Sequence, residues 1–280
     1  IPVHETRVNV VEARRLIPGG QAVGVALKTR GVLVVSDSAK GRLLRAGDVI
    51  LSANGETVES AKTLGAVIGG AQSDTVRLEV MRGGQTITVE TAASVDAADG
   101  RRKLGVWVRD STAGVGTLTY VDPQTGAYGA LGHAIVDADT GKLLDAREGA
   151  ILRANIVGVA KGQSGRAGEL KGNFLKEGRQ IGSLLENCEY GIYGVMRDAP
   201  RSALYPEGLS VGSRSAVHTG AASIIATVEG DEPQEYGVEI VRCFPQSEPS
   251  QKGMVLRVTD ERLLHRTGAV SYTHLTLPTT

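Results

Sequence analysis

The chain has little of several residue types that mark particular classes of protein. It holds 2 cysteines, 4% aromatic residues and a single tryptophan among 280 residues. Cys188 and Cys243 are far apart and lack the spacing of a metal site, and the sequence leaves open whether they are free thiols or one disulfide. We therefore predict neither a metal site nor a cofactor.

Neither sign of charge is in excess. The 31 basic and 31 acidic residues give a formal net charge of zero, and without a basic stripe a nucleic-acid partner is not predicted. The sequence also lacks a run of about 18 apolar residues, the length that spans a membrane. Because the chain begins at Ile1 rather than at a methionine, a signal or anchor upstream stays open.

Glycine and short apolar runs are what the chain has in plenty. Its 37 glycines suit many tight turns, and its length is sufficient for two domains with separate cores. β-Branched and aromatic runs recur between the glycines, whereas helical periodicity is rare. This pattern predicts a mainly β chain, built as a sandwich or barrel.

The N-terminal region begins with a glycine-rich turn that runs into an alternating strand. Gly19 and Gly20 precede residues 21–27, QAVGVAL, and the backbone N–H groups of such a turn can hold a carboxylate. Residues 44–58 indicate a strand that ends at an Asn-Gly turn. Residues 60–70 carry apolar side chains at helical spacing, and strands are predicted at 76–81 and 86–89.

These segments, GQAVGVAL followed by RAGDVILSANGETV, resemble a PDZ domain. The resemblance implies a lead-in strand and a small α/β domain over residues 1–92. It implies that a peptide carboxylate binds at Val23, Gly24 and Val25. The peptide would then add a strand beside Gly24–Leu27, so that Leu27 also lines the groove, against the helix at residues 60–70. The alternative is a small α/β domain whose groove is unoccupied.

The second half of the chain follows a segment of small and charged residues. Residues 93–103, ASVDAADGRRK, show no periodicity and are predicted to be a linker. After it come strand-like runs around Trp107, a Pro- and Gly-containing turn at 122–126, and then His133 between Gly132 and Ala134. Small neighbours let backbone or substrate approach the ring. We interpret His133 as a catalytic base; the alternative is a half-buried histidine at a strand end.

Three other polar residues have a structural explanation. Asp137 lies four residues after His133, but a DADTG turn accounts for it. Ser164 lies in a GQSG segment without the strand-turn-helix context of a nucleophile. His218 lies in an alternating, strand-like run. None of the three is predicted to be catalytic.

A serine protease needs a hydroxyl nucleophile, a histidine that takes its proton and a carboxylate that holds the imidazole. On a two-barrel scaffold of the chymotrypsin type these residues follow the order His, Asp, Ser. His133 precedes Asp260 here, and each lies beside a strand-like run. The order agrees with a protease but does not identify one.

Three segments resemble the SpoIVB peptidase family (stage IV sporulation protein B). They are residues 104–143, 161–172 and 255–270, and they lie behind the PDZ-like region. The resemblance implies a chymotrypsin-like β-barrel protease domain over residues 104–270, with His133 as the base and Asp260 completing the base side. It also implies the setting: the enzyme cleaves a membrane-associated regulatory protein between the two membranes of the developing spore, in a sporulation signalling pathway. Its PDZ domain would bind peptide segments of the substrate or of the protease.

The serine that this family uses, in a GMSGSP-like segment, has no counterpart here. The corresponding position is near Leu275, and no glycine follows Gly268 to build an oxyanion hole. Residues 271–280 depart from the family pattern and are interpreted as translated adapter or vector sequence. We therefore predict a protease domain that is truncated and inactive as given. The alternative is a non-catalytic PDZ-bearing interaction protein in which His133 and Asp260 are structural.

Overall fold

The computed structural model describes residues 14–36, 43–163, 168–174, 179–198, 204–244 and 253–268. Strands dominate this part of the chain. In the first half they are β1 (Arg15–Pro18), β2 (Ala22–Val34), β3 (Val49–Ala53), β4 (Glu56–Thr57), β5 (Thr75–Arg82), β6 (Gln85–Ala92), β7 (Ser94–Val95), β8 (Arg102–Lys103), β9 (Val108–Val121) and β10 (Ala127–Ala130).

The second half continues with short strands and little helix. The strands are β11 (Ala146–Arg153), β12 (Asn155–Ala160), β13 (Glu169–Asn173), β14 (Gln180–Cys188), β15 (Gly191–Met196), β16 (Leu209–Ser210), β17 (Gly220–Ala226), β18 (Gln234–Cys243) and β19 (Met254–Val258). The α-helices in the described part of the chain are α1 (Ala61–Gly69) and α2 (Glu261–Thr267). The prediction of a mainly β chain is confirmed.

Six strands close into an antiparallel barrel. Around the barrel they follow the order β9, β10, β15, β14, β11 and β2, and β2 pairs again with β9. Apolar side chains fill the interior, with Tyr128, Ile151 and Ile192 at most 1% exposed. Closure pairs both edges of each of these strands. The predicted β-barrel is therefore present, but it includes β2, which the sequence assigned to the PDZ region.

The PDZ unit is built from the second half of β2 with β3, β5, β6 and α1. Helix α1 begins after Ser60, whose Oγ accepts a hydrogen bond from the Thr63 N–H at 3.1 Å, a typical N-cap. Leu64 and Ile68 of α1 are buried in a core with Val32 and Val34 of β2. The predicted helix at 60–70 and the two strands after it are confirmed.

Two long strands are shared between the barrel and the PDZ unit. Residues 22–28 of β2 pair with residues 111–117 of β9 in the barrel, whereas Leu33 and Val34 pair with Arg109 and Val108. An irregularity in the pairing separates the two halves, and Gly31 there has a φ of 79°, which glycine adopts without strain. The two units are therefore joined by continuous strands.

The predicted linker is not structureless. Strands β7 and β8 form a small hairpin within it, and Ala93 is buried in the PDZ core. The Lys103 ammonium lies 2.9 Å from a carboxylate oxygen of Asp96 and 2.9 Å from one of Asp99. These exposed ion pairs contribute little to stability, so they add little to the attachment of the hairpin.

The C-terminal strands form smaller sheets. Strands β17, β18 and β19 form one antiparallel sheet, and β12 pairs with β13. Val238 of β18, Val258 of β19 and Leu263 of α2 belong to a hydrophobic core separate from those of the barrel and the PDZ unit. The Thr227 hydroxyl donates a buried hydrogen bond of 2.8 Å to the Gly20 carbonyl and so attaches this region to the start of β2. Within the described residues these five strands do not close into a second barrel.

Cys188 and Cys243 are both free thiols. Neither described helix has the length and apolar character needed to cross a bilayer.

Candidate active site

A sharp backbone turn carries His133 away from the end of β10. Leu131 and Gly132 have φ values of 71° and 76°, a left-handed conformation that is uncommon for a residue with a side chain. The Leu131 N–H donates to the Thr117 carbonyl of β9 at 3.0 Å. Its side chain packs against the barrel core. These contacts hold the turn, so the position of His133 is set by the barrel.

The hydrogen bond of the His133 ring fixes its tautomer. Nδ1 lies 2.9 Å from the Ala134 carbonyl oxygen. Because a carbonyl can only accept, we assign the proton of the neutral ring to Nδ1 and leave Nε2 as an acceptor. This is the tautomer that a general base requires.

The ring faces a small pocket on the barrel. Its walls come from β2, β9 and the turn that carries the histidine: Val25, Thr112, Gly114, Val115, Leu131 and Ile135. The His133 side chain is half-buried there. Most of the side chains that line the pocket are apolar.

Asn187 of β14 holds the backbone just after His133. Its Oδ1 accepts from the Ile135 N–H at 2.8 Å, and its Nδ2 donates to the carbonyls of Ile135 at 2.9 Å and Leu144 at 2.8 Å. The amide thus replaces a strand partner for Ile135 and fixes the backbone two residues from the histidine. The sequence does not indicate this role of Asn187, because one asparagine in a strand carries no local signal of it.

Asp137 serves the turn that follows His133, as predicted. Its Oδ1 accepts from the N–H and the hydroxyl of Thr140, both at 2.9 Å, and its Oδ2 pairs with the Arg109 guanidinium. Burial raises the pKa of Asp137, but the hydrogen bonds from Thr140 and Arg109 outweigh burial and leave the pKa lowered. Its charge is therefore held within the turn and by β9.

Asp260 is the N-cap of α2. Its Oδ1 accepts from the N–H groups of Arg262 at 2.9 Å and Leu263 at 3.3 Å. The Arg262 guanidinium binds both carboxylate oxygens, with Nη2 to Oδ2 at 2.8 Å. The hydrogen bond from Arg262 is the largest influence lowering the pKa of Asp260, to about 2. The carboxylate is ionised and fully engaged.

The structure does not bring His133 and Asp260 together. Among the described residues there is no hydrogen bond between the His133 ring and the Asp260 carboxylate. The neighbours of His133 belong to the barrel core, whereas α2 belongs to the C-terminal core. The hydrogen bonds of the Asp260 carboxylate go instead to Arg262 and the α2 backbone.

The peptide groove predicted at Val23, Gly24, Val25 and Leu27 is not open. Strand β2 pairs with β9 on one side and β11 on the other. The side chains of Val23, Val25 and Leu27 fill the barrel core and are at most 5% exposed. A peptide cannot add a strand where both edges are already paired. The structure corrects the sequence here: these residues build the barrel.

His218 and Ser164 were the other candidates that the sequence offered. The His218 Nδ1 bonds to the Ala216 carbonyl at 2.9 Å on an exposed turn. Ser164 and residues 269–280 lie outside the described residues. Within those that are described, no group of three His, Cys, Asp or Glu side chains is placed to hold a metal ion.

Comparison with known proteins identifies the class and then the family. Residues 19–92 match the model of the PDZ domain, and residues 100–272 match that of the SpoIVB peptidase S55. The barrel and the PDZ unit are thus those of a PDZ-bearing peptidase. Because the peptidase model matches more than half of the chain, the protein belongs to the SpoIVB peptidase S55 family, as the sequence motifs predicted.

Solved structures similar to this chain include two PDZ domains from Listeria. That of the SdrC-like protein of Listeria monocytogenes is 21% identical, covering 28% of this chain and 87% of that one, with a TM-score of 0.26. That of the SdrC-like protein of Listeria innocua is 20% identical, covering 28% and 93%, also with a TM-score of 0.26. No curated protein matches the chain.

Proposed function

We propose that this chain is a PDZ-regulated serine endopeptidase of the SpoIVB type, with His133 as its general base. The observation that carries the proposal is the state of the ring. Nδ1 bonds to the Ala134 carbonyl and is therefore assigned the proton, whereas Nε2 makes no hydrogen bond to a described residue and is left to accept a proton. This arrangement lies within the region that matches a peptidase family. A serine hydroxyl brought to Nε2 would lose its proton to it as the oxygen attacks a peptide carbonyl.

Asp260 is proposed to complete the base side by stabilising the imidazolium. This role requires a rearrangement at α2, because Arg262 now holds both carboxylate oxygens. The nucleophile is proposed to be absent from residues 1–280, since Leu275 stands near the position that the family uses for serine. The chain as given is therefore proposed to be inactive.

Family membership supports the wider setting that we propose. The substrate is a membrane-associated regulatory protein, and cleavage takes place outside the cytoplasm, in the space between the two membranes of the developing spore. The reaction acts in a sporulation signalling pathway.

The test is a peptidase assay on the 280-residue chain beside a chain extended after Val270 with a GMSGSP-type segment. The extended chain should cleave an unstructured protein substrate, and His133→Ala should lower its kcat by about 10⁴-fold or more. His218→Ala, on an exposed turn, is the matched control and should leave kcat unchanged. If the unextended chain cleaves the substrate and His133→Ala abolishes that activity, the nucleophile lies within residues 1–280. Ser164 and Ser271 would then be the next residues to mutate.

A second candidate, a non-catalytic PDZ-bearing interaction protein, is favoured by one specific observation. Asp260 is fully used by Arg262 and the N-terminus of α2, which is the arrangement of a structural cap. On this reading the extended chain would fold, with an unchanged circular dichroism spectrum, and cleave nothing. The same assay therefore separates the two candidates.

A further inference from the structure

Residues 104–110 lie between a strand and the helix of the PDZ unit. On one side, Val108 and Arg109 pair antiparallel with Val34 and Leu33, and the Val35 N–H donates to the Trp107 carbonyl at 2.9 Å. The segment has added a strand to the edge of β2. Strand addition of this kind is how PDZ domains bind peptides.

The same segment runs along α1 from its end to its beginning. Just beyond the C-terminal end of α1, Arg102, two residues before the segment, donates a hydrogen bond from Nη1 to the Ala71 carbonyl at 3.0 Å. At the N-terminal end, the Ala61 N–H donates to Asp110 Oδ2 at 2.8 Å. A carboxylate at a helix N-terminus meets unpaired N–H groups and the positive end of the helix dipole. Asp110 is therefore the anchor of the segment on α1.

The side chains of the segment alternate between the PDZ core and the surface. Leu104 is 4% exposed in that core, and Val106 and Val108 pack against it. Trp107 lies on the other side and is 77% exposed. The site therefore selects apolar side chains at every second position, followed by a carboxylate two residues after the last of them.

On the PDZ side the segment has a short ladder, and its charged attachment lies on the other side, where Arg109 pairs with Asp137 and Asp139 of the turn after His133. The strand pairing of the segment with the PDZ half of β2 covers two residue pairs, whereas β5 and β6 pair along their whole lengths. Val106 and Val108 are only partly buried, and the β7–β8 hairpin before them is largely exposed. A short ladder and partly buried side chains are features of a part of the structure that opens at a lower free energy than the core strands.

We propose that residues 104–110 are a displaceable ligand that the PDZ unit holds in cis. The partner that replaces them is an internal, extended protein segment with alternating apolar residues followed by an aspartate or glutamate. Strand β9 continues from this site to Thr112, Gly114 and Val115 in the wall of the His133 pocket, so the exchange acts on the candidate active site. The inference rests on the peptide-binding part of the proposed function and not on catalysis.

The test uses the only tryptophan of the chain, Trp107, as its reporter. The 280-residue chain is titrated with a peptide that copies residues 102–112 but carries Trp107→Ser, so that all emission comes from the protein. In the wild-type chain the cis segment competes at an effective concentration of about millimolar, so binding is weak. Asp110→Ala in the chain loosens the cis segment, and the peptide should bind about fivefold more tightly. Trp107 fluorescence anisotropy should fall as the segment leaves.

Asp145→Ala, an exposed aspartate paired with Arg30, should leave peptide affinity unchanged, and a peptide that also carries Asp110→Ala should lose affinity. Asp110→Asn, together with amide exchange at Val35, provides a second test in case Asp110→Ala does not fold. The proposal is overturned if either folded variant keeps wild-type protection at Val35 and binds peptide no better. It is equally overturned if the peptide binds without changing the Trp107 anisotropy. Neither outcome bears on peptidase activity.

Discussion

At the scale of single residues, Gly24 serves a different purpose from the one that its motif suggests. Gly24 belongs to a motif in which glycine would let a peptide approach the backbone. In the fold a Cβ on Gly24 would lie 2.5 Å from the Phe174 ring, so glycine is needed for packing between β2 and the segment after β13. His133 and Asp137 could be interpreted from local patterns, because a turn and small neighbours are local. Asn187 could not, because its partners lie 52 and 43 residues away.

Gly24→Ala tests whether Gly24 is needed for packing against Phe174 rather than for the approach of a peptide. Because the Phe174 ring must move, we expect the free energy of unfolding to fall by about 1–3 kcal/mol. The measurement is urea denaturation of the full chain. Gly65→Ala in α1 is the control: its Cβ meets nothing within 4 Å, and it should raise stability by about 0.5–1 kcal/mol. Unchanged stability in Gly24→Ala would mean that Phe174 does not pack there.

Tyr128 is a residue whose substitution should raise the free energy of unfolding. Its ring is buried in the barrel, and its hydroxyl has no hydrogen-bond partner among the described residues. Burial alone raises its pKa well above the ordinary value. Removing an unpaired buried hydroxyl removes a desolvation cost, so Tyr128→Phe should raise the free energy of unfolding by about 1 kcal/mol.

The control for Tyr128 is Tyr205→Phe. The Tyr205 hydroxyl donates to Glu235 at 2.7 Å, so its loss should lower the free energy of unfolding by about 0.5–1.5 kcal/mol. Thermal or urea denaturation of both variants gives the comparison. A clear loss of stability in Tyr128→Phe would show that its hydroxyl has a partner.

At the scale of elements, local periodicity was sufficient for some strands and helices and not for others. Helix α1 and strands β5 and β6 follow from apolar spacing and glycine turns, because their partners are close in sequence. Strand β2 alternates in the same way whether its edge faces a peptide or β9 and β11, so the pattern could not identify its partner. The β7–β8 hairpin could not be predicted either, because strands of two residues are too short to show a periodicity.

Helix α2 provides a pH-dependent prediction. The pKa of Asp260 is lowered from 3.8 to about 2, chiefly by the hydrogen bond from Arg262. A carboxyl with a lowered pKa in the fold stabilises it above its unfolded pKa, and this contribution disappears as the pH falls through the folded pKa. Asp260→Ala should therefore lower the urea midpoint at pH 7.

Lowering the pH should remove this difference. The urea midpoints of the wild-type chain and Asp260→Ala should converge between about pH 4 and pH 2. Asp231→Asn, on an exposed turn, should show no such convergence. A midpoint difference that persists unchanged at pH 2 would contradict the capping role of Asp260.

At the scale of the whole molecule, the PDZ unit and the peptidase barrel exchange strands. Residues 22–28 lie within the PDZ match but close the barrel, and residues 104–110 lie within the peptidase match but complete the PDZ unit. The family and the two kinds of fold could be predicted from sequence motifs. This exchange could not, because it depends on which distant strands pair.

The exchange makes the wall of the His133 pocket a joint product of both regions. Val25 comes from β2, and Thr112 and Val115 come from β9. Two continuous strands therefore connect the PDZ unit with the pocket. This physical connection is what the proposed regulation requires.

Amide hydrogen exchange over residues 22–28 of the full chain tests the shared strand most directly. Because β9 and β11 pair with both edges of β2, the amides of Val23 to Leu27 should exchange as slowly as those of Leu118 and Ile151 in the barrel core. Adding a C-terminal peptide should not change their rates. Fast exchange at Gly24 and Ala26, slowed by such a peptide, would contradict the account and restore the open PDZ groove at these residues.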